Sequence, residues 1–482
     1  MWIPITLAAA WLSVVLSSTP SGAGDQPQPT PAARRPPIVL VSLDTLRADH
    51  VGAYGYPRGT TPHLDRLAGD AVLFENAFTA GGGTLPAHLT LLTSLPPPVH
   101  GVTVQSGAVL PDRYETLAEI LGKAGYRTAA FTGAGYVRRR WGFDQGFETF
   151  DDAGHGFEEI LPKATAWLDR PSDRPPFLFL HTLDIHSGRN KRPYDAPARF
   201  RARFVSENHA NTFTGCRDHR CASGLLAWLN QQARAGKVDL ETYFAPGEIG
   251  YITDLYDAAI AHADARVGDL VGILKERGLY DDAIIVVLSD HGEEFLDHGL
   301  LLHEQTYDEI ARIPILLKLP HGRRGGTRVS GLVALMDILP TLLAISDVPA
   351  PPGILGTSLL PLIHGRAPGR PHVYVWGIPE KLRTARWSLL RQKDGTIELY
   401  DLRRDPGERN DVARAEPEMA RALSKRLAAI KRSMAAARRA RHATRRPTKL
   451  DEEVVRELET LGYLQGERPS LTRPEDRAGA TR

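Results

Sequence analysis

The sequence predicts an α/β protein with a large central, mostly parallel sheet flanked by helices, followed by a small antiparallel sheet with a helix. Three apolar runs support the parallel sheet, at 37–43 (PIVLVSL), 176–180 (PFLFL) and 283–289 (AIIVVLS). Each is too short for a helix and rich in branched or aromatic residues, which is typical of strands buried on both faces. Because sites in open α/β sheets lie outside the carboxyl ends of the strands, the loops after these runs are expected to converge on one pocket.

These three loops contain the residue types that metal binding and proton transfer require. Asp44 follows the first run, Asp184 and His186 follow the second, and Asp290 and His291 follow the third. Hard divalent cations prefer carboxylates, and borderline cations also accept imidazole. An Asp-His pair alone is more often part of a turn or a cap. In combination, however, Asp44, Asp290 and His291 predict a metal site.

Two segments between the strands have helical periodicity. Residues 116–124 (TLAEILGKA) end at Gly125, a typical helix C-cap, and predict the first helix. Residues 252–277 repeat apolar side chains at helical spacing and stop at Gly278, which predicts the second.

The segment 187–245 has weak periodicity and contains both cysteines, Cys216 and Cys221. It is predicted to be an insertion over the active-site face. In an exported protein such a pair is expected to form a disulfide that closes a small loop. The alternative is a metal knuckle that includes His219, although two Cys and one His rarely complete a zinc site.

Beyond residue 364 the pattern changes to short alternating segments. Residues 372–376 (HVYVW), 387–391 (WSLLR) and 396–401 (TIELYD) predict strands of an antiparallel sheet. A basic, Ala-rich helix is predicted at 413–444. Such a face is usually solvated, and weak contact with an anionic membrane surface or binding of a polyanion is the alternative. The predicted domains are a catalytic domain (37–364), an antiparallel subdomain (365–412) and a basic helix with a polar tail (413–482).

The N-terminus has the pattern of a signal peptide. An apolar run at 2–16 precedes small residues that end at Ala23, so cleavage is expected there and residues 1–23 would be removed. The run lacks a preceding Lys or Arg, and an uncleaved membrane anchor is the alternative. Cleavage is favoured because the run is shorter than the roughly 20 apolar residues that span a bilayer. Residues 24–36 form a Pro-rich linker, and a secreted or periplasmic location is expected.

The composition and net charge are those of an ordinary globular protein. Of the 482 residues, 42% are hydrophobic and 24% are charged, which are ordinary values for a globular chain and exclude wholesale disorder. The formal net charge of +2 gives no global reason to expect nucleic acid as a partner.

Five segments, in the same order, resemble the sulfatase family of the alkaline-phosphatase superfamily. They are 41–79 (VSLDTLRADHVGAYGYPRGTTPHLDRLAGDAVLFENAFT), 83–102 (GTLPAHLTLLTSLPPPVHGV), 180–194 (LHTLDIHSGRNKRPY), 288–320 (LSDHGEEFLDHGLLLHEQTYDEIARIPILLKLP) and 398–413 (ELYDLRRDPGERNDVA). The resemblance implies a divalent cation such as Ca, Mn or Zn. It also implies hydrolysis of a sulfate or phosphate ester, on a small molecule, a glycan or a lipid.

The chain departs from the family pattern at the nucleophile. Sulfatases carry a Cys or Ser that is oxidised to formylglycine, followed by x-Pro-Ser-Arg. Here residues 84–88 read TLPAH, so Thr84 takes the nucleophile position and also becomes a candidate metal ligand, and His88 takes the arginine position. The family's Lys and His after the next strand fall at Gly133 and Gly135.

Two further positions differ. The second Asp of the family's paired acids is Thr45, and the later anion-binding Lys is His303. With His88 and His186, His303 would supply protons or hydrogen bonds where sulfatases place fixed positive charges. Since imidazole titrates near pH 6.5, activity is expected to depend steeply on pH through the neutral range.

Thr84 alters the expected chemistry. Threonine would not become the formylglycine aldehyde, and a threonine sulfate ester lacks the exit that the hydrated aldehyde provides. Superfamily members with Thr or Ser act on phosphoryl groups through a covalent intermediate. The resemblance therefore favours hydrolysis of a phosphodiester or phosphomonoester, or phosphoryl transfer. A genuine sulfatase is one alternative, and a catalytically silent protein that keeps the fold and the metal is another.

Several of these residues have a structural alternative. Thr84 also fits a helix N-cap, and the two roles are compatible because a helix N-terminus favours anions. Asp184 and His298 are additional candidate metal ligands, or else structural side chains. His181 is expected to be a satisfied core histidine, and residues 49–50 (DH) are expected to organise the loop after the first strand.

Overall fold

The structure is a computed structural model that describes residues 35–441 apart from 134, 189–191, 207–212, 214–215 and 217–220, together with 446–447. The predicted signal peptide, His219 and the polar tail beyond residue 447 lie outside the described residues, as does nearly all of the linker. Within the described chain, no helix combines the length and apolarity needed to cross a bilayer.

The strands of the described chain, in order, are β1 (Ile38–Leu43), β2 (Val72–Phe78), β3 (Ala108–Val109), β4 (Arg127–Gly133), β5 (Thr149–Gly154), β6 (Pro176–Thr182), β7 (Ile284–Leu288), β8 (Glu294–Phe295), β9 (Leu301–Leu302), β10 (Arg312–Ile313), β11 (Ile315–Lys318), β12 (Arg328–Ala334), β13 (Val373–Val375), β14 (Glu380–Arg383), β15 (Trp387–Arg391), β16 (Ile397–Asp401) and β17 (Arg446–Pro447). The α-helices are α1 (Pro62–Asp70), α2 (Thr84–Thr93), α3 (Pro97–His100), α4 (Leu117–Lys123), α5 (Phe157–Leu168), α6 (Ala198–Arg201), α7 (Cys221–Arg234), α8 (Leu240–Tyr243), α9 (Glu248–Glu276), α10 (Asp308–Ala311), α11 (Ile338–Ile345), α12 (Leu360–Ile363) and α13 (Pro417–Ala440).

The central sheet has nine strands in the order β10-β2-β11-β7-β1-β6-β4-β5, with β12 paired to β2. The core of the sheet is parallel: β1 lies between β6 and β7 and pairs with both in the same direction. Strands β10 and β11 run antiparallel to their neighbours. The sheet is therefore mixed and mostly parallel, which confirms the predicted fold class.

Two apolar cores flank this sheet. Successive side chains of a strand point to opposite faces. Accordingly, Ile38 and Leu40 of β1 pack into one buried cluster, and Val39, Val41 and Leu43 pack into the other. All six residues of β1 are buried, which explains why its sequence is apolar except for Ser42 and does not alternate.

The predicted helices are present with small shifts. Helix α4 begins after Thr116, whose hydroxyl accepts a hydrogen bond from the Glu119 backbone N–H while the Glu119 carboxylate accepts one from the Thr116 N–H. This reciprocal cap fixes the helix start. Helix α9 begins four residues earlier than predicted, directly after Gly247.

The segment predicted as an insertion contains the helices α6, α7 and α8. Leu225 and Leu229 of α7 are buried in the core on the α9 side of the sheet. Cys216 is disulfide-bonded, as expected for the cysteine pair. The side chain of Cys221 lies outside the described residues.

The C-terminal sheet is antiparallel in the order β13-β14-β15-β16, and α13 packs on it through Leu423 and Leu427. Three of the strands match the predicted segments, whereas β14 (EKLR) was missed because its sequence is polar. Its Lys381 is fully buried and lies 2.7 and 2.9 Å from the two carboxylate oxygens of Glu408 and 2.5 Å from Asp308. These ion pairs compensate for the charge and allow it to be buried in a strand.

Candidate metal and catalytic site

The three residues predicted to bind a metal converge at one edge of the central sheet. Asp44 follows β1, and Asp290 and His291 follow β7. Because β1 and β7 are parallel neighbours, both loops leave the sheet at the same edge. One ligand atom from each residue lies within 4.8 Å of the others, and all three side chains are fully buried.

Thr84 reaches this cluster from a different loop. It is the first residue of α2, and its Oγ1 lies 3.2 Å from Nε2 of His291 and 3.4 Å from Oδ2 of Asp44. Its side chain is 1% exposed. The helix begins after a triple-glycine loop, in which a Cβ at Gly82 would lie 2.9 Å from the backbone oxygen of Gln305. This close approach holds the N-terminus of α2 against the loop that contains His303.

The donor set fits a divalent cation. Oδ1 of Asp44, Oδ2 of Asp290 and Oγ1 of Thr45 are buried and have no hydrogen-bond partner among the described residues. Burial of a carboxylate oxygen without a partner costs free energy, and a cation bound between Asp44 and Asp290 would compensate for both oxygens. Two carboxylates, an imidazole and a hydroxyl suit hard or borderline divalent ions.

The tautomer of His291 agrees with this interpretation. Its Nδ1 lies 2.9 Å from the backbone oxygen of Gly292, and since a carbonyl only accepts, Nδ1 must donate. In the neutral ring the lone pair is then on Nε2, which faces the carboxylates as a metal-binding nitrogen would. Burial by itself would lower the pKa of His291, but the Asp290 and Asp44 carboxylates raise it above its usual value.

His181 is a member of the site that the sequence did not identify. Its Nε2 lies 2.9 Å from Oδ2 of Asp44, and both side chains are fully buried. The expectation of a satisfied core histidine was incomplete, because the partner is a metal-type carboxylate. The contact follows from the register of the sheet, which the sequence does not give: His181 pairs with Ser42 on the parallel neighbour, two residues before Asp44.

His88 does not take over the role of the missing arginine. Its Nδ1 donates to the backbone oxygen of Thr84, one helical turn earlier, at 2.9 Å, and its Nε2 lies 2.9 Å from Oγ of Ser42. Both ring nitrogens therefore have protein partners, and burial lowers the pKa of His88 to about 4. This arrangement gives His88 a positioning role at the start of α2, and its predicted contact with the substrate stays a prediction.

His186 and His303 lie beside the cluster. Their ring centroids are 5.2 Å apart, and the ring of His303 is 4.7 Å from that of His291. Nδ1 of His303 lies 3.1 Å from Oε1 of Glu293, a fully buried acid that the sequence analysis did not single out. Burial raises the pKa of Glu293 to about 8.

The charge state of these imidazoles differs from the sequence expectation. Burial lowers the pKa of His186 to about 4 and that of His303 to about 3. Both rings are therefore neutral at pH 7, and the expected steep pH dependence through the neutral range does not follow from them. Because Nδ1 of His186 lies 2.6 Å from the backbone oxygen of Ser187 and must donate, its Nε2 carries the lone pair.

Asp184 and His298 are not brought into the metal cluster. Oδ2 of Asp184 accepts a hydrogen bond from the backbone N–H of Phe157, the first residue of α5, at 2.8 Å and so caps that helix. Nδ1 of His298 lies 2.6 Å from Oε1 of Glu309, and its Nε2 lies 2.9 Å from the backbone oxygen of Glu408. The structural alternatives fit the geometry of both residues.

The loop after β1 is organised as the sequence suggested. Nδ1 of His50 lies 2.7 Å from the Asp257 carboxylate, and Asp49 pairs with Arg47 at 2.8 Å. Arg47 also pairs with Asp297 at 2.8 Å. The guanidinium nearest to Asp44 in sequence is thus held by acids and is not directed at a substrate anion.

The glycine at a family lysine position reflects a crowded backbone. A Cβ at Gly133 would lie 2.6 Å from the backbone oxygen of His155 and 3.1 Å from the Leu183 side chain. A longer side chain does not fit there without movement of the backbone. This edge of the site therefore lacks the fixed positive charge that the family pattern places there.

Comparison with known proteins identifies the family. Residues 36–348 match the sulfatase family model, and residues 296–433 match that of the N-sulphoglucosamine sulphohydrolase C-terminal region. Arylsulfatase K of Rattus norvegicus is 25% identical over 437 residues, covering 80% of this chain and 76% of that protein. Delta 4,5-hexuronate-2-O-sulfatase of Bacteroides thetaiotaomicron is also 25% identical, over 439 residues, covering 80% of this chain and 85% of that protein.

The fold is shared with solved structures. The phosphonate monoester hydrolase of Agrobacterium radiobacter superposes with a TM-score of 0.68 at 21% identity and covers 83% of this chain and 96% of its own. The sequence match, the mixed sheet and the cluster at its edge lead to one conclusion: the chain belongs to the sulfatase family of the alkaline-phosphatase superfamily and is an ester hydrolase.

Proposed function

We propose that this protein hydrolyses phosphate esters, diesters or monoesters, with Thr84 as the nucleophile. One observation carries the proposal. The Thr84 hydroxyl lies 3.2 Å from Nε2 of His291 and 3.4 Å from Oδ2 of Asp44. The sequence resemblance aligns Thr84 with the family's nucleophile, and threonine is not a precursor of formylglycine.

The first step forms a covalent intermediate. Oγ1 of Thr84 forms a bond to phosphorus while the bond from phosphorus to the leaving alcohol oxygen breaks, and the hydroxyl proton ends on the departing alcohol. A divalent cation held by Asp44, Asp290 and His291 would lower the pKa of the hydroxyl and neutralise charge on the transferring group. His181 and His88 hold Asp44 and the first turn of α2 in place.

The second step returns the enzyme. Water attacks the phosphorus of the phosphothreonine, the bond to Thr84 Oγ1 breaks, phosphate or a phosphomonoester is released, and one proton of the water ends on Oγ1 and restores the hydroxyl. Nε2 of His186 carries a lone pair beside the cluster, so it is placed to accept the proton of that water. His303 supports the site as a neutral imidazole fixed by Glu293.

The charge balance around the site favours substrates with few negative charges. His186 and His303 are neutral at pH 7, and Gly133 stands where a family lysine would be. Most of the compensation for the anion then falls to the cation and to the N-terminus of α2. A phosphodiester carries one negative charge on the phosphoryl group and a phosphomonoester carries up to two, so we propose that diesters are the better class.

The kind of molecule that bears the ester group is proposed from the names of the relatives. Their names include a hexuronate sulfatase and an ulvan-active sulfatase, which favours a glycan ester, although small-molecule and lipid esters use the same chemistry. An exported, periplasmic or secreted location is proposed from the apolar N-terminal run.

Sulfate-ester hydrolysis is the second candidate. The observation that favours it is that the curated relatives named above are sulfatases. It would require an unmodified Thr84 to release sulfate without the aldehyde that normally expels it.

A matched substrate panel distinguishes the two candidates. The purified full chain, supplied with Mn²⁺, is assayed on 4-nitrophenyl phosphate, bis(4-nitrophenyl) phosphate and 4-nitrophenyl sulfate. We expect kcat/KM to be highest for the diester and lowest for the sulfate. Turnover of the sulfate ester alone would refute the phosphoryl proposal and leave the family assignment intact.

A further inference from the structure

Helix α13 presents a row of cations to solvent. Arg421, Lys425, Arg432 and Arg439 are exposed. At 3.6 residues per turn their side chains lie within about 40° of one another around the helix axis, and 1.5 Å of rise per residue spreads them over roughly 27 Å. We call these four residues the cationic row.

The row does not contribute ion pairs to the fold. Arg421 pairs with Glu418 of the same helix, while Lys425, Arg432 and Arg439 form no ion pair with any described residue. By contrast, Lys431 on the inner side pairs with Glu380 of β14 at 2.7 Å. Residues 417–440 contain seven Lys or Arg and one acid, so the surplus of positive charge is concentrated on the outer face.

A shallow, open groove of about 470 Å³ adjoins this row, and we call it the cavity. Ala422, Ala429 and Ile430 contribute apolar lining, and Lys425 and Arg426 contribute positive charge. Nε of Arg426 donates to Nδ1 of His372 at 3.2 Å, which orients the guanidinium. The surface therefore combines a line of charges with a recess that could receive part of a chain.

We propose that the cationic row and this cavity bind a linear polyanion, namely a polysaccharide chain that carries sulfate groups. Cations spaced along a line match charges that repeat along a polymer, and release of the polymer's counterions would drive the association. The proposal rests on charge distribution and does not depend on the ester chemistry proposed for Thr84.

An anionic membrane fits the same surface less well. Interfacial helices insert an apolar face into the lipid. The apolar face of α13 is instead packed on the C-terminal sheet through Leu423 and Leu427. Among the described residues, Ile378 is the large hydrophobic side chain that is exposed, and it lies outside α13. Aromatic side chains for base stacking are likewise absent from residues 417–440, so single-stranded nucleic acid is disfavoured.

Binding of fluorescein-labelled heparin to the full chain tests the proposal. A variant with Lys425→Gln, Arg432→Gln and Arg439→Gln removes three exposed charges while glutamine keeps the helix propensity. The matched control, Lys237→Gln, Arg323→Gln and Lys393→Gln, removes three exposed charges outside α13. We expect Kd, measured by anisotropy at low salt, to rise about 10- to 100-fold in the first variant and less than about threefold in the control.

The salt dependence gives a second readout. The slope of log Kd against log salt should become shallower in the row variant and stay at the wild-type value in the control. Equal losses in the two variants would show that net charge alone attracts heparin, and would overturn the proposal. Wild-type binding to phosphatidylserine-containing vesicles or to single-stranded DNA at least as tight as to heparin would overturn it as well.

Discussion

Nε2 of His181 lies 2.9 Å from Oδ2 of Asp44, and neither side chain is exposed to solvent. A donor in this position fixes the orientation of the carboxylate, so that its other oxygen, which has no hydrogen-bond partner among the described residues, is directed at the cluster. Partners of this kind are worth roughly 10- to 100-fold in metal affinity or activity.

We therefore expect His181→Ala to weaken Mn²⁺ binding about 10- to 100-fold by calorimetry, because Asp44 loses its orienting donor. His181→Gln can still donate and should recover part of the affinity. The control is His100→Gln, which removes a buried imidazole of α3 that lies outside the cluster and should leave Mn²⁺ affinity unchanged. Wild-type affinity in His181→Ala would remove His181 from the site.

Thr84→Val should abolish turnover and leave folding nearly intact. The substitution keeps the shape of the side chain, while the hydroxyl 3.2 Å from His291 is lost. Thr90→Val is the matched control, since it removes a buried hydroxyl on the same helix that bonds the backbone oxygen of Pro86. Acid quench of the wild type during turnover, followed by peptide mass analysis, should find phosphate on Thr84. Full activity in Thr84→Val contradicts the assignment.

The pH profile of kcat/KM should be flat between about pH 6 and 7 and fall below about pH 5. Burial lowers the pKa of His186 to about 4, so its Nε2 keeps the lone pair at neutral pH and acquires a proton only in acid. Metal affinity is measured at the same pH values, so that loss of the cation is not mistaken for protonation of His186. A profile that rises toward low pH through 6.5 would mean that a protonated imidazole is required.

Asp264 gives a prediction for stability. Burial raises its pKa to about 7, although its carboxylate accepts hydrogen bonds from the backbone N–H groups of His63 and Leu64 at the start of α1. The native state then binds more protons than the unfolded state between about pH 4 and 7, so this residue's contribution to stability is fully present below about pH 4 and is lost as the pH rises through about 7.

The measurement compares urea unfolding of the wild type with that of Asp264→Asn between pH 5 and 8. The amide can still accept hydrogen bonds and cannot ionise. The free energy of unfolding of the wild type should decline relative to that of the variant across this range, by about 1–3 kcal/mol. A constant difference between the two proteins would show that Asp264 does not titrate there.

The metal cluster could be predicted from the sequence because strand ends on parallel neighbours meet at one edge. Asp44, Asp290 and His291 each follow a continuous apolar run, and that pattern needs no knowledge of register. His181 could not be assigned in this way, since its contact with Asp44 depends on how β6 is aligned with β1. Its identity alone fits a core histidine equally well.

Buried polar side chains were harder to interpret for a similar reason. Asp184 bonds the backbone of Phe157, 27 residues away in sequence, and His298 bonds the backbone of Glu408, 110 residues away. Only the fold shows that these partners are within hydrogen-bonding distance. Strand β14 was missed because Lys381 looks like a surface residue until Glu408 and Asp308 are placed beside it.

The ions around Lys381 also constrain the order in which the protein can be assembled. Glu408, in the loop between β16 and α13, accepts a hydrogen bond from the backbone N–H of Asp308 at 2.7 Å, and its own backbone oxygen lies 2.9 Å from Nε2 of His298. These contacts stabilise the segment that also carries His303. During synthesis, the residues of the large sheet emerge before Glu408, so at that stage this segment lacks its contacts with Glu408. The catalytic pocket is completed only when the chain through Glu408 has emerged, and a chain terminated before Glu408 is expected to be inactive even where its central sheet has formed.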